Sequence, residues 1–118
     1  MARIELIADS VALDHALSAA TAGAVFVFKH SLICPLSSSA LHEYEEFVES
    51  RQADAGVRFG LIEIQKARPL SDAVEERTGV RHESPQALLL YGGRVVWSAS
   101  HHGITRRSLE LALEQMAS

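Results

Sequence analysis

The chain has 118 residues, of which 47% are hydrophobic and 22% are charged. This length and composition fit one globular domain with a modest core and exclude a disordered chain. Eleven basic residues against fifteen acidic ones give a net charge of -4, which lacks the basic excess of a nucleic-acid-binding protein. The apolar runs are too short to cross a bilayer, and the charges of Glu5 and Asp9 argue against a signal peptide. We therefore expect a single cytoplasmic domain over residues 1–118, without a nucleic-acid or membrane partner.

The first half of the chain predicts a helix, a buried strand and a second helix. Residues 10–20 have helical character, with Ser10 or Asp9 as the N-cap. Residues 24–29 are almost continuously apolar, β-branched and aromatic, which is typical of a strand buried on both faces. From Leu36 to about Arg51 the apolar residues follow helical spacing.

The second half predicts a strand, a helix and a β-hairpin. Residues 57–64 alternate and are rich in β-formers, so they form the second strand. Residues 68–79 begin with Arg-Pro and end on a glycine, which indicates a short helix with a left-handed C-cap. Residues 86–91 and 94–99 are two strands joined by Gly92-Gly93, a pair that favours a tight turn.

The chain ends with a helix that Thr105 caps, and Ile104 is placed to pack onto Leu109. The predicted order of elements is therefore α-β-α-β-α-β-β-α. Strands separated by a helix are expected to be parallel, through right-handed crossovers, whereas the hairpin strands are antiparallel. The fold class is α/β, with a four-stranded mixed sheet flanked by helices, and this arrangement is thioredoxin-like.

Cys34 is the single cysteine, so neither an intramolecular disulfide nor a cysteine-rich metal site can form. It stands between the buried strand and a helix, and Pro35 occupies the slot of the first helical residue. Cys34 is then the N-cap, where unpaired N–H groups and the helix dipole favour a thiolate over a thiol. Because the thiolate is the nucleophile of disulfide exchange, we predict Cys34 as the catalytic residue.

Pro85 opens the third strand and follows Ser84. In thioredoxin-like folds a proline at this place is cis and lies against the reactive cysteine, which leaves the preceding backbone for an extended substrate. We therefore predict a cis Ser84-Pro85 bond and a substrate-facing loop.

Ser37 stands where a dithiol enzyme would have its second, resolving cysteine. No internal disulfide can then release an adduct from Cys34, and a second thiol must come from solution or from a partner protein. We expect the Ser37 hydroxyl to shape the site rather than to carry a proton.

Three residues are candidates for tuning the thiolate: Lys29, His30 and His82. A positive charge close to sulfur favours the ionised form. Each also has a structural alternative, namely a hydrogen bond to loop backbone for the histidines and an ammonium reaching solvent for Lys29. No ligand spacing predicts a metal site, His101-His102 included.

Several segments share residues with a known family: Phe28-Lys29-His30-Ser31, Cys34-Pro35-Leu36-Ser37, Arg68-Pro69-Leu70-Ser71, Gly79-Val80, His82-Glu83-Ser84-Pro85-Gln86, Val96-Trp97 and the stretch from His101 to Thr105. Together they resemble the YtxJ family, the monothiol bacilliredoxins. The similarity covers nearly the whole chain from about residue 22. Its more specific parts are Cys-Pro-x-Ser and His-Glu-Ser-Pro-Gln.

The resemblance implies a thioredoxin-like oxidoreductase that acts on mixed disulfides between proteins and the small thiol bacillithiol. Cys34 would be the redox residue, with Pro35, Ser37 and the Ser84-Pro85 loop around the substrate. It implies no bound cofactor, with bacillithiol as co-substrate. The partners would be S-bacillithiolated proteins, a low-molecular-weight thiol and a bacillithiol disulfide reductase system. The chain departs from the family at Ile33, where members usually have threonine.

Two other functions fit a thioredoxin-like chain with one cysteine. One is a glutaredoxin-like module that binds an iron–sulfur cluster through one cysteine per chain and a small thiol. Such modules usually carry glycine after the cysteine, where this chain has Pro35. The other is a redox-silent adaptor, in which Cys34 is an inert N-cap.

Overall fold

The computed structural model describes residues 3–51 and 56–117. In chain order the elements are β1 (Ile4–Leu6), α1 (Ser10–Ala19), β2 (Ala24–His30), α2 (Pro35–Glu49), β3 (Val57–Glu63), α3 (Arg68–Thr78), β4 (Gln86–Tyr91), β5 (Arg94–Ser100), a 3-10 turn (His101–Gly103) and α4 (Arg106–Ala117). No helix in these residues is long and apolar enough to span a membrane.

The strands form one mixed sheet in the order β1-β3-β2-β4-β5. The central strand β2 pairs in parallel with β3 and antiparallel with β4, and β4 pairs antiparallel with β5. All seven residues of β2 are buried, because helices cover both faces of the sheet at this strand. The predicted α/β, thioredoxin-like fold is confirmed.

The predicted number of four strands is wrong, because β1 adds a fifth at the edge. Ile4 to Leu6 pair in parallel with Phe59 to Leu61 of β3. The Glu5 carboxylate also accepts a hydrogen bond from Arg58 of β3 at 2.6 Å. A three-residue edge strand with an exposed leucine is too short to show alternation, so its pairing depends on β3 rather than on its own sequence.

Two apolar layers enclose the sheet. One contains the buried side chains of α2 and α4, and the other those of α1 and α3. In the first layer Tyr44 of α2 stacks on Phe28 of β2 with ring centroids 5.0 Å apart, and its hydroxyl donates to the Gly60 carbonyl of β3 at 3.0 Å. These contacts fix α2 across the sheet, and its N-terminus follows the carboxyl end of β2 after the loop of residues 31–34.

The predicted element ends are found in the structure. Asp9 caps α1, and Gly79 ends α3 with a φ of 74°. Gly92-Gly93 joins the hairpin strands with φ of 65° and 81°, a backbone region that favours glycine. At α4 the Thr105 hydroxyl accepts the Ser108 N–H at 3.0 Å. These local signals place the last strands and helix as the sequence predicted.

Candidate active site

Cys34 is the N-cap of α2, as predicted, with Pro35 as the first helical residue. Its carbonyl accepts the N–H groups of Ser37 at 3.0 Å and Ser38 at 3.3 Å, which closes the first turn. The side chain makes no capping hydrogen bond and is partly exposed. The thiol therefore remains available for chemistry at the positive end of a fifteen-residue helix.

Three large apolar residues close to Cys34 in sequence, Leu32, Ile33 and Leu36, are exposed to solvent, and we call them the apolar collar. The exposed fractions are 45%, 82% and 40%, respectively. Leaving large apolar side chains in water is unfavourable, and clusters of them mark surfaces that contact other molecules. The collar is therefore a candidate contact surface next to Cys34.

The Ser84-Pro85 peptide bond is cis, as predicted. The register of β4 on β2 pairs Gln86 with Lys29, so Pro85 lies at the same end of the sheet as Cys34. The Pro85 carbonyl accepts the His101 N–H at 3.1 Å. Among the described residues, the backbone groups of Ser84 have no partner, and its buried hydroxyl has none either. This backbone is available for an extended substrate.

Ser37 is fully buried and holds the loop that leads to Cys34. Its hydroxyl oxygen accepts the Ser31 N–H at 2.8 Å and lies 2.8 Å from Nδ1 of His30. The hydroxyl proton can then be donated to the Nδ1 of a neutral His30. Burial lowers the pKa of His30, against the opposing influence of Glu63 and Glu45, so the neutral ring is favoured. This arrangement gives Ser37 a part in shaping the loop.

Gln65 is a site residue that sequence reasoning missed. Gln65 lies two residues after the end of β3, and its Oε1 accepts the Leu32 N–H at 2.8 Å. Its Nε2 donates to the Ser31 hydroxyl at 2.9 Å. One glutamine therefore fastens the loop that leads to Cys34 to a segment more than thirty residues away. No local pattern marks Gln65, because the contact exists only once β2 and β3 are paired.

Lys29 and His82 form a separate cluster on the other face of the sheet. Lys29 is fully buried, which excludes the alternative in which its ammonium reaches solvent. Its Nζ lies 3.2 Å from Nδ1 of His82, which also lies 2.8 Å from the Ser71 hydroxyl. The rings of His82 and His30 hydrogen-bond to the hydroxyls of Ser71 and Ser37, respectively. Neither ring has a hydrogen bond to Cys34 among the described residues.

His30 and His82 both make the stability of the fold sensitive to acid. Burial is the main cause that lowers the pKa of His30 and of His82 in the folded chain, and the charge of Lys29 lowers the pKa of His82 further. The unfolded chain then binds protons below about pH 6.5 that the folded chain does not bind. We expect the free energy of unfolding to fall as the pH drops from 7 towards 5.

The expected slope is at most about 1.4 kcal/mol per pH unit for each histidine. Urea unfolding at several pH values measures it. His82→Asn should reduce the slope, because the amide oxygen replaces Nδ1 and does not titrate. His15→Asn, at an exposed position of α1, should leave the slope unchanged. Equal slopes in all three proteins would contradict the assignment to His82.

Comparison with known proteins agrees with this geometry. The family model "Monothiol bacilliredoxin BrxC" matches residues 5–109. The chain belongs to this family. A solved candidate oxidoreductase with a thioredoxin fold is 30% identical, with 93% of each chain covered and a TM-score of 0.81. The match confirms the resemblance to monothiol bacilliredoxins that the motifs around Cys34 and Pro85 indicated.

Two thioredoxins illustrate the fold. The short form of spinach chloroplast thioredoxin f is 16% identical, with 98% of this chain and 95% of that chain covered and a TM-score of 0.72. The thioredoxin of Malassezia sympodialis is 14% identical, with coverages of 100% and 94% and a TM-score of 0.72. At these identities they show the fold alone. The bacilliredoxin family match supplies the chemistry, and the chain is a thiol oxidoreductase of the thioredoxin fold.

Proposed function

We propose that this bacilliredoxin removes bacillithiol from protein mixed disulfides in the cytoplasm, with Cys34 as its nucleophile. The observation that carries the proposal is an accessible single cysteine at a helix N-terminus, with Ser37 in the position of a resolving thiol, in a monothiol family member. Without a second thiol the chain accepts one adduct and returns it to an external thiol.

Two exchange steps complete the reaction. The Cys34 thiolate attacks the bacillithiol sulfur of the protein mixed disulfide, and the protein leaves as a thiolate that takes up a proton. A second bacillithiol, as its thiolate, then attacks the bacillithiol sulfur bound to Cys34. Cys34 leaves as a thiolate, and bacillithiol disulfide is released. The disulfide is only transferred between thiols, so the chain needs no redox cofactor of its own, and a separate bacillithiol disulfide reductase would restore the thiol.

The surface around Cys34 supports a protein as the first substrate. The apolar collar offers contacts for the side chains next to the modified cysteine of the substrate, and Pro35 extends this exposed apolar surface. Ser84 offers an unpaired backbone for an extended segment beside Pro85. The expected substrate-binding set therefore consists of Pro35, Ser37, Ser84 and Pro85, with Ser37 acting through the loop that it holds.

Intact mass spectrometry tests the thiol class. We expect incubation with bacillithiol disulfide to add one bacillithiol to the reduced chain, and incubation with glutathione disulfide at the same concentration to add at least about tenfold less adduct. Such a difference corresponds to about 1.4 kcal/mol of selective recognition. Cys34→Ala is the control for labelling at other sites and should show no adduct. Equal adduct formation with both disulfides would contradict bacillithiol as the co-substrate.

A further inference from the structure

A partly buried polar network holds the loop that precedes Pro85. Lys29 Nζ and the Ser71 hydroxyl both reach Nδ1 of His82. The backbone N–H of His82 donates to the carboxylate of Glu75 in α3. At the far end of the loop, Gln86 Nε2 donates to the Arg81 carbonyl at 2.9 Å. Each of these bonds acts on a residue that flanks Ser84 and Pro85, and none acts on Cys34.

The buried ammonium limits what His82 can do. Burial lowers the pKa of Lys29, and the charges of Glu75 and Asp72 in α3 oppose that shift. In its ammonium form Lys29 has only donors, so Nδ1 of His82 accepts. A second proton on the ring would place two positive charges 3.2 Å apart. The other charged groups that act on His82 come from α3: Glu75 and Asp72 favour its protonation, and Arg68 opposes it. His82 therefore keeps its place in this network as a neutral ring.

A charged side chain is costly to bury, and Lys29 lies in a strand whose seven residues are all buried, with Glu75 and Asp72 of α3 as nearby opposite charges. A methionine at this position would pack as well without that cost. Packing therefore does not explain the lysine, whereas its contact with the substrate-facing loop does.

We propose that Lys29 is a positioning residue, whose ammonium fixes His82 and thereby the residue 82–85 loop in the form that pairs with a protein disulfide. The inference rests on the proposed function, because it assigns the loop to the protein substrate. It is the alternative to the prediction that Lys29 and His82 tune the thiolate. The two roles differ in what they change: positioning affects substrate binding, whereas tuning affects the reactivity of Cys34 itself.

Steady-state kinetics with a peptide that carries bacillithiol as a mixed disulfide separate these roles. We expect Lys29→Met to raise KM about tenfold, the effect of one lost hydrogen bond to a charged group, with kcat changed less than about threefold. Lys66→Met is the matched control, because Lys66 is exposed, and its kinetics should equal those of the wild type. His82→Asn keeps an acceptor for Lys29 and should raise KM less than His82→Leu, which should raise KM as Lys29→Met does.

Alkylation of Cys34 by iodoacetamide across a pH series measures the reactivity of the thiol, which only the tuning role would change. Its pH profile should be the same in the wild type and in Lys29→Met. A shifted alkylation profile with an unchanged KM would overturn the proposal in favour of thiolate tuning. If neither quantity changes, the proposal is also overturned, and the network is only structural.

Amide hydrogen exchange followed by NMR tests the loop without bacillithiol. In Lys29→Met the His82 amide should exchange about tenfold faster, because its bond to Glu75 depends on the ring being held. Unchanged exchange overturns the positioning role even if the wild type proves inactive on bacillithiol disulfides, so the two proposals can fail separately. Should Lys29→Met not fold, Ser71→Ala removes the other partner of Nδ1 and is measured in the same way.

Discussion

Replacement of Cys34 by serine is expected to abolish thiol–disulfide exchange and to leave the fold intact. A serine hydroxyl is not ionised at neutral pH and forms no disulfide, so neither exchange step can occur. The side chain is partly exposed and makes no capping hydrogen bond, and serine is itself a favourable N-cap. The free energy of unfolding should therefore change by less than about 1 kcal/mol. Release of bacillithiol from a modified protein and urea unfolding measure the two effects.

Two results would contradict this account. Release of bacillithiol by Cys34→Ser above the rate without protein would place the chemistry on another residue. A wild-type Cys34 that reacts with iodoacetamide at pH 7 no faster than the cysteine of an unfolded peptide would favour the redox-silent adaptor. The second measurement uses the native chain, so it does not depend on the choice of substrate.

Ser37→Cys is expected to convert the chain into a dithiol protein. Residues 34 and 37 are the N-cap and the third residue of α2, one turn apart on the same side of the helix. A thiol at position 37 could attack the Cys34 adduct from within, and an intramolecular step has a far higher effective concentration than an external thiol. After oxidation the variant should contain an internal disulfide and at least about tenfold less bacillithiol adduct than the wild type. Thiol counting and intact mass measure both.

The same substitution should weaken the reduced protein. The Ser37 hydroxyl accepts the buried Ser31 N–H, and sulfur is a weaker acceptor, so reduced Ser37→Cys should lose about 1–3 kcal/mol of stability. Ser39→Cys is the matched control, because its exposed side chain lies further along the helix and should form no internal disulfide. Two free thiols and an undiminished adduct in oxidised Ser37→Cys would show that the residues do not face each other.

The strongest predictions concerned residues whose partners are close in sequence. Cys34 is an N-cap because Pro35 and the apolar spacing that follows define the start of α2. Gly92-Gly93 forms the hairpin because both residues need a backbone that glycine adopts readily. In both cases the physical cause lies within a few residues, so the sequence contains it.

The burial of Lys29 could not be predicted from its neighbours in the sequence. In an apolar strand a lysine is expected to mark the strand end, because ammonium groups are rarely buried. Its actual position depends on His82, which lies 53 residues away, and on Ser71 in a helix between them. The contact of Gln65 with Leu32 and the pairing of β1 with β3 have the same origin.

The sequence alone thus determined the order of the main helices and strands, the place of the single cysteine at a helix start, and the family to which the chain belongs. Those features follow from periodicity, turn residues and short motifs, which act over a few residues. The tertiary structure alone decided that a fifth strand joins the sheet, that Ser37 bonds to Ser31 and His30, and that Lys29 contacts His82 in the segment before Pro85. Hydrogen bonds of this kind form only when distant segments pack and exclude water, and the preferences of single residues do not encode their partners.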